Sequence, residues 1–196
     1  MWYNKNVYSF EKGVTQMSSF TKKAIIESFL RIAAKKPLDK ITVRDIVDDC
    51  GVNRNTFYYY FQDIYAVLEE ICRNGVEKVP RGLPLPDMMK TTFQVLSGYA
   101  LLYPRVMRQV AINVGAEGSE RYFGEAFDAL FTESMVLAAG EGNFPPELPS
   151  FLRHAFLGVF IEWMREEKRM PAEKAAAALE EIGKVVLAGL TGGARA

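Results

Sequence analysis

The side chains best equipped to bind a partner form one short run, NRNTFYYYF, residues 53–61. Its amide, guanidinium and hydroxyl groups can donate or accept hydrogen bonds, and its phenol rings add apolar faces. Three successive tyrosines on a helix point in directions about 100° apart, so they cannot all face a core. We therefore expect part of this run to contact something outside its own domain.

The candidates for catalytic or metal-binding residues are weaker than this binding run. The chain contains one histidine, His154, and two cysteines, Cys50 and Cys72. The cysteines lack the spacing of a metal site and recur with apolar neighbours, so we expect buried thiols, with no metal and no cofactor. An enzyme would have to use the glutamates within residues 162–167, which resemble the ordinary polar face of a helix. The sequence therefore disfavours an enzyme.

The overall composition limits how such binding could work. The 196 residues are 49% hydrophobic, which is enough for a substantial core, and 24 basic residues balance 24 acidic ones. With no global basic field, binding to nucleic acid would have to rest on a local patch. Neither a signal peptide nor an apolar run of about 18 residues is visible, so we expect a cytoplasmic protein without a membrane partner.

Several polar residues predict the ends of the helices around the binding run. Thr42, followed three residues later by Asp45, has the pattern of an N-terminal cap with its reciprocal partner. Gly51 is expected to end the helix that begins there. Asn53 and Asp63 can then cap the two helices that follow.

Two helices at 42–50 and 53–61, joined by a tight turn, form a predicted helix-turn-helix. Phe57 and Phe61 lie one turn apart and would point inward, which leaves the tyrosines largely outward. A phenol can reach phosphate oxygens, and the fork of Arg54 can pair with O6 and N7 of guanine. These residues therefore favour a DNA major groove as the partner.

Helical periodicity continues through the rest of the chain, without strand-like alternation. We expect an all-α fold of about nine helices. Residues 1–18 would be an N-terminal arm, and 19–79 a DNA-binding domain with a three-helix helix-turn-helix. The breakers PRGLPLP at 80–86 would form a hinge, and 87–196 a C-terminal regulatory and dimerisation domain.

The segment ITVRDIVDDCGVNRNTFYYYFQDIYAVLEEI, residues 41–71, resembles the N-terminal domain of the tetracycline-repressor (TetR) family of bacterial transcriptional regulators. The resemblance covers about residues 20–75. More weakly, the tail FLGVFIEWMREEKRMPAEKAAAALEEI, residues 156–182, is similar to the C-terminal domain of the branch that includes dihydroxyacetone-kinase regulators.

This resemblance implies a sequence-specific transcriptional regulator, a ligand-responsive repressor that binds a palindromic operator as a homodimer. An alternative stays open, in which a non-enzymatic co-regulator or ligand-binding protein of the same fold acts through another protein. Gel-shift binding that disappears on replacement of Arg54 would separate a direct DNA reader from that alternative.

The resemblance also implies which residues meet DNA. Base edges would be approached by Arg44, Arg54, Asn55, Tyr58 and Tyr59. Phosphates would be held by Thr42, Thr56 and Tyr60, and Asn53 is included in the same surface. The chain departs from the family at Ile64, where many members carry a lysine that contacts phosphate. Asp48 and Asp49 would also weaken the salt-dependent part of the affinity.

Two further sites are expected in the C-terminal domain. An excess of large, adaptable side chains predicts a cavity for an apolar or amphipathic effector, lined by Phe93, Tyr99, Tyr103, Met107, Tyr122, Phe123, Phe127 and Phe131. A packed core without a cavity is the alternative, since aromatic stripes at helical spacing are usually core. The last two helices predict a homodimer interface formed by Phe156, Phe160, Trp163, Leu179, Ile182, Gly183 and Val186.

Overall fold

The computed structural model describes residues 20–113, 116–166 and 169–192, with the side chains of 113, 116–123, 125 and 192 left out. Within these ranges the regular structure is entirely helical. Helix α1 spans residues 20–33, and a single 3₁₀ turn follows at Leu38–Lys40. The remaining helices are α2 (Val43–Cys50), α3 (Arg54–Tyr60), α4 (Ile64–Val76), α5 (Leu85–Leu102), α6 (Pro104–Asn113), α7 (Ala116–Ala139), α8 (Leu148–Arg165) and α9 (Ala172–Gly192). The expected all-α class, with nine α-helices in the described part of the chain, is confirmed.

The helix ends form where the sequence predicts them. The Thr42 hydroxyl accepts a hydrogen bond from the backbone N–H of Asp45, whose carboxylate accepts one from the backbone N–H of Thr42. Gly51 follows α2 with a φ of 73°, a conformation that glycine adopts without steric cost. The side chains of Asn53 and Asp63 each accept a hydrogen bond from the backbone N–H three residues later, at 2.7 and 2.8 Å. Local polar side chains therefore fix the starts of α2, α3 and α4, and a glycine ends α2.

The chain divides into two compact units, Met1–Leu68 and Glu69–Ala196, so the division falls within α4. The sequence had placed the boundary later, at the predicted hinge 80–86. Helix α5 already begins inside that segment, because Pro86 occupies an early helical position where its missing N–H removes no hydrogen bond. The division into an arm, a DNA-binding domain, a hinge and a regulatory domain stays a prediction, and the arm lies outside the described residues.

The core of the first unit fixes α1 against the helix-turn-helix. Ile25, Phe29, Ile46 and Phe57 are fully buried. The buried hydroxyl of Ser28 donates a hydrogen bond to the backbone carbonyl oxygen of Ile46 at 3.1 Å, so this polar group inside the core has a partner. The position of α3 is therefore set mainly by tight apolar packing.

A cluster of aromatic rings forms the core of the second unit. The ring of Phe93 on α5 lies 5.3 to 6.4 Å from three rings of α8, mostly edge to face. Phe127 and Phe131 of α7 pack against Phe156 of the same cluster. The guanidinium of Arg153 is buried beside this cluster and pairs with Asp128 at 2.7 Å. Among the described helices, none has both the length and the apolar composition needed to cross a membrane.

Candidate DNA-binding surface and effector cavity

Helix α3 turns its phenylalanines inward and two of its tyrosines outward. Phe57 is fully buried, and Phe61, which ends the helix, is nearly so. By contrast, Tyr59 is 80% exposed and Tyr58 is 46% exposed. The buried rings set the rotation of α3 about its axis, so the outward direction of the neighbouring tyrosines follows from the core.

Arg54 and Tyr58 form a preorganised pair on the exposed side of α3. They lie one helical turn apart, and Nη2 of Arg54 donates a hydrogen bond to the Tyr58 hydroxyl at 3.2 Å. The guanidinium carbon lies 5.6 Å from the centre of the Tyr58 ring, within the range of a cation–π contact. Asn55 is exposed beside them. An arginine held in this way loses less side-chain entropy when its fork meets a base edge.

The rings of Tyr59 and Tyr60 support one another further along α3. Their centres are 4.9 Å apart and their planes are perpendicular. Tyr60 is half-buried. A half-buried tyrosine of this kind suits a contact with phosphate, which carries no sequence information, better than it suits base reading.

The acidic residues of α2 are paired with cations. Arg44 lies 3.4 Å from Asp48 on the same helix, and Arg31 of α1 lies 2.6 Å from Asp49. The repulsion of DNA that the sequence suggested for these two aspartates is therefore partly offset. Because Arg44 already faces a carboxylate, it would have to leave that pair in order to reach a base.

Three of the predicted DNA contacts also fix helix ends. The Thr42 hydroxyl donates to the Asp45 carboxylate at 2.7 Å, and the Thr56 hydroxyl donates to the side-chain oxygen of Asn53 at 3.0 Å. A hydroxyl has only one hydrogen to donate, so a contact with phosphate would have to replace these bonds. The DNA contacts of Thr42, Asn53 and Thr56 stay predictions, whereas their capping geometry is observed.

A cavity lies within the second unit, enclosed by α4, α5, α6 and α8. Its volume is about 20 Å³, room for about one water molecule, so a larger ligand would have to move the lining side chains. The lining residues are Ile71, Cys72, Gly75, Leu96, Tyr99, Met107, Val110, Phe160 and Met164. Burial raises the pKa of the Cys72 thiol to about 12, and the nearby carboxylate of Glu69 adds to this shift. The thiol is therefore neutral, and the lining offers no charge to a ligand.

Only part of the predicted ligand site lies at this cavity. Tyr99 and Met107 line it, whereas Phe93, Phe127 and Phe131 belong to the packed ring cluster. Tyr103 is half-buried but is not among the lining residues, and the side chains of Tyr122 and Phe123 lie outside the described residues. The contributions of α4 and α8 were not predicted from the sequence. A glycine inside the apolar stripe of α4, Gly75, was the available signal.

The predicted dimer residues lie mostly inside their own unit. Five of them are buried: Phe156, Phe160, Trp163, Leu179 and Gly183. Of the other two, Ile182 is 49% exposed and Val186 is half-buried. Both helices also have an outer stripe that the sequence analysis did not separate from the inner one. It comprises Phe151, Ala155, Gly158 and Val159 on α8, and Ala178, Ile182, Val185 and Gly189 on α9.

Within the described part of the chain, no group of three or more histidine, cysteine or acidic side chains is placed to hold a metal ion. The arrangement on α3 instead offers a guanidinium, an amide and phenols on a rigid helix. These groups are suited to hydrogen bonding with base edges and phosphates.

Comparison with known proteins agrees with this geometry. Residues 25–71 match the family described as bacterial regulatory proteins, tetR family. A curated relative is the uncharacterized HTH-type transcriptional regulator YerO of Bacillus subtilis (strain 168), 21% identical over 161 residues. That match covers 71% of this chain and 56% of YerO, so it spans little more than half the length of that protein.

Solved structures share the fold over most of the chain. A putative TetR-family transcriptional regulator from Syntrophomonas wolfei superimposes with a TM-score of 0.68 at 16% identity, over 88% of this chain and 97% of that one. A TetR transcriptional regulator from Streptococcus agalactiae gives 0.58 at 16% identity, over 88% and 98%. The dihydroxyacetone kinase operon activator DhaS gives 0.62 at 17% identity, over 85% and 96%. Residues 25–71 therefore match the tetR family of bacterial regulatory proteins, and most of the chain shares the fold of these solved structures.

Proposed function

We propose that this protein is a transcriptional regulator that binds a near-palindromic DNA operator directly, as a homodimer, and represses the adjacent genes from within the cytoplasm. The observation that carries the proposal is the geometry of α3. Buried Phe57 fixes the helix, so that Arg54 and Tyr58 are presented together on its exposed side. Such a helix can enter the major groove and read bases with its N-terminal residues.

Base reading is tested by comparing Arg54→Ala with Tyr60→Phe. The operator is first selected from random-sequence DNA with the wild type. Arg54→Ala should cost about 1 to 3 kcal/mol at that site and relax its base preference, because the bidentate guanine contact is lost. Tyr60→Phe should weaken binding to all sequences about equally, since only a phosphate contact is removed.

Arg73→Ala is the matched control for the loss of a positive charge. Arg73 is exposed on α4 and pairs with Glu70 and Glu77 of the same helix. Its replacement should leave the base preference unchanged in fluorescence-anisotropy titrations. If Arg54→Ala and Arg73→Ala behaved alike on every sequence, direct reading by α3 would be rejected in favour of action through another protein.

That second role has one observation in its favour. Ile64 begins α4 and is buried, at the position where the resemblance to the TetR family implies a lysine that contacts phosphate. One anchoring charge is therefore absent, and a regulator with fewer phosphate contacts depends more on its base contacts.

The sign of regulation is tested with a reporter gene, since the structurally similar DhaS is named an operon activator. Higher expression after deletion of the regulator supports repression, and lower expression contradicts it.

Dimerisation is proposed through the outer stripes of α8 and α9. Val185 is 73% exposed and Ile182 49% exposed, and small residues on the same stripes allow a second helix to approach closely. A single recognition helix reads only a few base pairs, so two copies are needed for a useful affinity and specificity. A four-helix interface between two copies would bury these stripes.

The cavity beside α4 is the proposed effector site. Its apolar lining and neutral thiol suit an uncharged ligand, since a charge placed there would lose its hydration without gaining a partner. Its occupant would touch α4, whose first residues belong to the other unit. Compounds that raise the melting temperature are then tested for their effect on operator affinity. Stabilising compounds that leave that affinity unchanged would contradict an effector role.

A further inference from the structure

Helix α3 carries its single positively charged side chain at its first residue, Arg54. The sequence contains no lysine or arginine from residue 55 to residue 72. The C-terminal half of α3 therefore offers phenol rings and hydroxyls but no cation of its own. Cations that neutralise phosphates supply the salt-dependent part of DNA affinity, and such contacts also fix the orientation of a protein on the duplex. A cation at this end of α3 has to come from another part of the chain.

Helix α1 brings a lysine to that end. The ammonium of Lys22 lies 5.8 Å from the centre of the Phe61 ring, within the range of a cation–π contact. Phe61 directly follows α3, and its backbone N–H donates a hydrogen bond to the carbonyl oxygen of Phe57, so it is fixed to the end of the helix. Lys22 is half-buried, which fits a lysine whose aliphatic stem covers an apolar surface while its ammonium faces water.

The neighbouring lysine, Lys23, has a different environment. It is exposed, and its ammonium lies 3.8 Å from the carboxylate of Glu27 on the same helix. Successive residues of a helix point about 100° apart, so Lys22 and Lys23 face different directions. The two lysines therefore carry the same charge on the same turn of α1, and the contact with Phe61 distinguishes Lys22.

Ile64 lies three residues after Phe61, at the start of α4. Three residues span at most about 11 Å, so the Lys22 ammonium and Ile64 belong to the same end of α3. We propose that Lys22 binds a backbone phosphate of the operator beside the C-terminal end of α3, and that it supplies there the positive charge that is absent at Ile64. This proposal rests on the proposed function, because it presupposes direct binding to DNA.

The salt dependence of DNA binding by the full chain tests this contact. Fluorescence anisotropy is measured with the selected operator and with a random-sequence duplex, at salt concentrations from about 50 to 200 mM. Lys22→Met removes the charge but keeps a stem that can cover Phe61. It should weaken binding to both duplexes about tenfold for each bound copy near 0.1 M salt, and lower the slope of log affinity against log salt by about 1 for each copy. The base preference should stay the same.

Three further variants separate the charge from its surroundings. Lys23→Met is the matched control, and it should change the slope by less than half as much. Lys22→Arg should keep the wild-type slope, because the positive charge is retained. Gln62 is exposed directly after Phe61. Adding Gln62→Lys to Lys22→Met should therefore restore the slope, since it returns a cation to the same end of α3.

The phosphate contact is overturned if folded Lys22→Met keeps the wild-type slope, or if Lys23→Met lowers the slope as much. Circular dichroism establishes that each variant is folded, and Lys22→Gln takes the place of Lys22→Met if the methionine variant does not fold. Operator binding that is indistinguishable between the wild type and Lys22→Met would refute this contact and leave the proposed function intact. A wild type that binds neither duplex at the lowest salt concentration would refute direct DNA binding and the phosphate contact together.

Discussion

Asp45 shows how one side chain stabilises several parts of the first unit. Its carboxylate accepts hydrogen bonds from the Lys36 ammonium at 2.7 Å, from the Thr42 hydroxyl at 2.7 Å and from the Thr42 backbone N–H at 2.8 Å. These donors, Lys36 first, lower the pKa of Asp45 from 3.8 to about 2. The Asp45 carboxylate in the first turn of α2 is thereby kept charged. Its negative charge also interacts favourably with the positive N-terminal end of the helix dipole.

Acid should destabilise the protein partly through this residue. Because the folded-state pKa of Asp45 is below the unfolded value, the unfolded state binds more protons between about pH 4 and pH 2. The contribution is fully present above pH 4 and is lost as the pH falls through 2. Asp45→Asn should lower stability near neutral pH by about 1 kcal/mol or less, since the pair is partly exposed. Its urea midpoint should also fall less steeply with acid.

Thr42→Val is the control for that measurement. It removes the hydroxyl bond but leaves the Lys36 ammonium and the backbone N–H in place, so it should retain most of the acid dependence. A wild type and an Asp45→Asn variant with parallel curves between pH 2 and pH 5 would exclude Asp45 as the source.

At the scale of the helices, α5 and α9 approach so closely that one position must be glycine. A Cβ atom on Gly183 of α9 would lie 2.7 Å from Pro86 Cα and 3.0 Å from Pro86 N. Both are backbone atoms of α5, which cannot rotate away as a side chain can. Lys90 and Glu180 add an ion pair of 2.7 Å between the same two helices. Gly183 is predicted from the sequence to lie in a dimer interface, and its observed contact is with α5 of its own chain.

Gly183→Ala should therefore destabilise the protein by about 1 to 3 kcal/mol, because the two helices would have to move apart. Gly98→Ala on α5 should instead leave stability unchanged or raise it by up to about 1 kcal/mol, since its surroundings are open and alanine favours helix. Urea denaturation of both variants measures the contrast. Similar stability for the two would mean that the contact of α9 with Pro86 does not constrain the fold.

For the whole molecule, the assembly expected from the sequence depends on which face of α8 and α9 is free. The inner face carries Phe156, Phe160 and Leu179, which are buried inside the second unit. The outer face carries Ile182 and Val185, which the isolated chain leaves exposed. An exposed apolar stripe on two helices is a common feature of surfaces that pair with another copy.

Ile182→Glu or Val185→Glu should convert the dimer to a monomer, because each places a charge in the proposed apolar interface. Leu137→Glu is the control, since Leu137 is 58% exposed on α7, outside the stripes. Sedimentation velocity at micromolar concentration distinguishes the species. A wild type that sediments as a monomer, or a Leu137→Glu variant that dissociates as readily, would contradict the proposed interface.

What could be read from the sequence was the part determined by short-range interactions. The caps at Thr42, Asn53 and Asp63 act on a backbone N–H three residues away, so composition and order are enough to predict them. Gly51 and the one-turn spacing of Phe57 and Phe61 are equally local. The helix-turn-helix, the rotation of α3 and the all-α class followed from these features.

The cavity and the free surface depended on contacts between residues far apart in the chain. Leu179 and Ile182 both belong to the apolar pattern of α9, and only the packing of α9 on α5 decides that the first is buried and the second exposed. Likewise, Gly75 and Phe160 line one cavity because α4 and α8 enclose it together. The sequence thus determined which residues form helices and, through Phe57 and Phe61, that α3 turns Tyr58 and Tyr59 outward. Only the tertiary structure decided which apolar faces are buried in the core of the chain. The reason is that helical periodicity is the same for a side chain that packs inside its own domain and for one that packs against a partner.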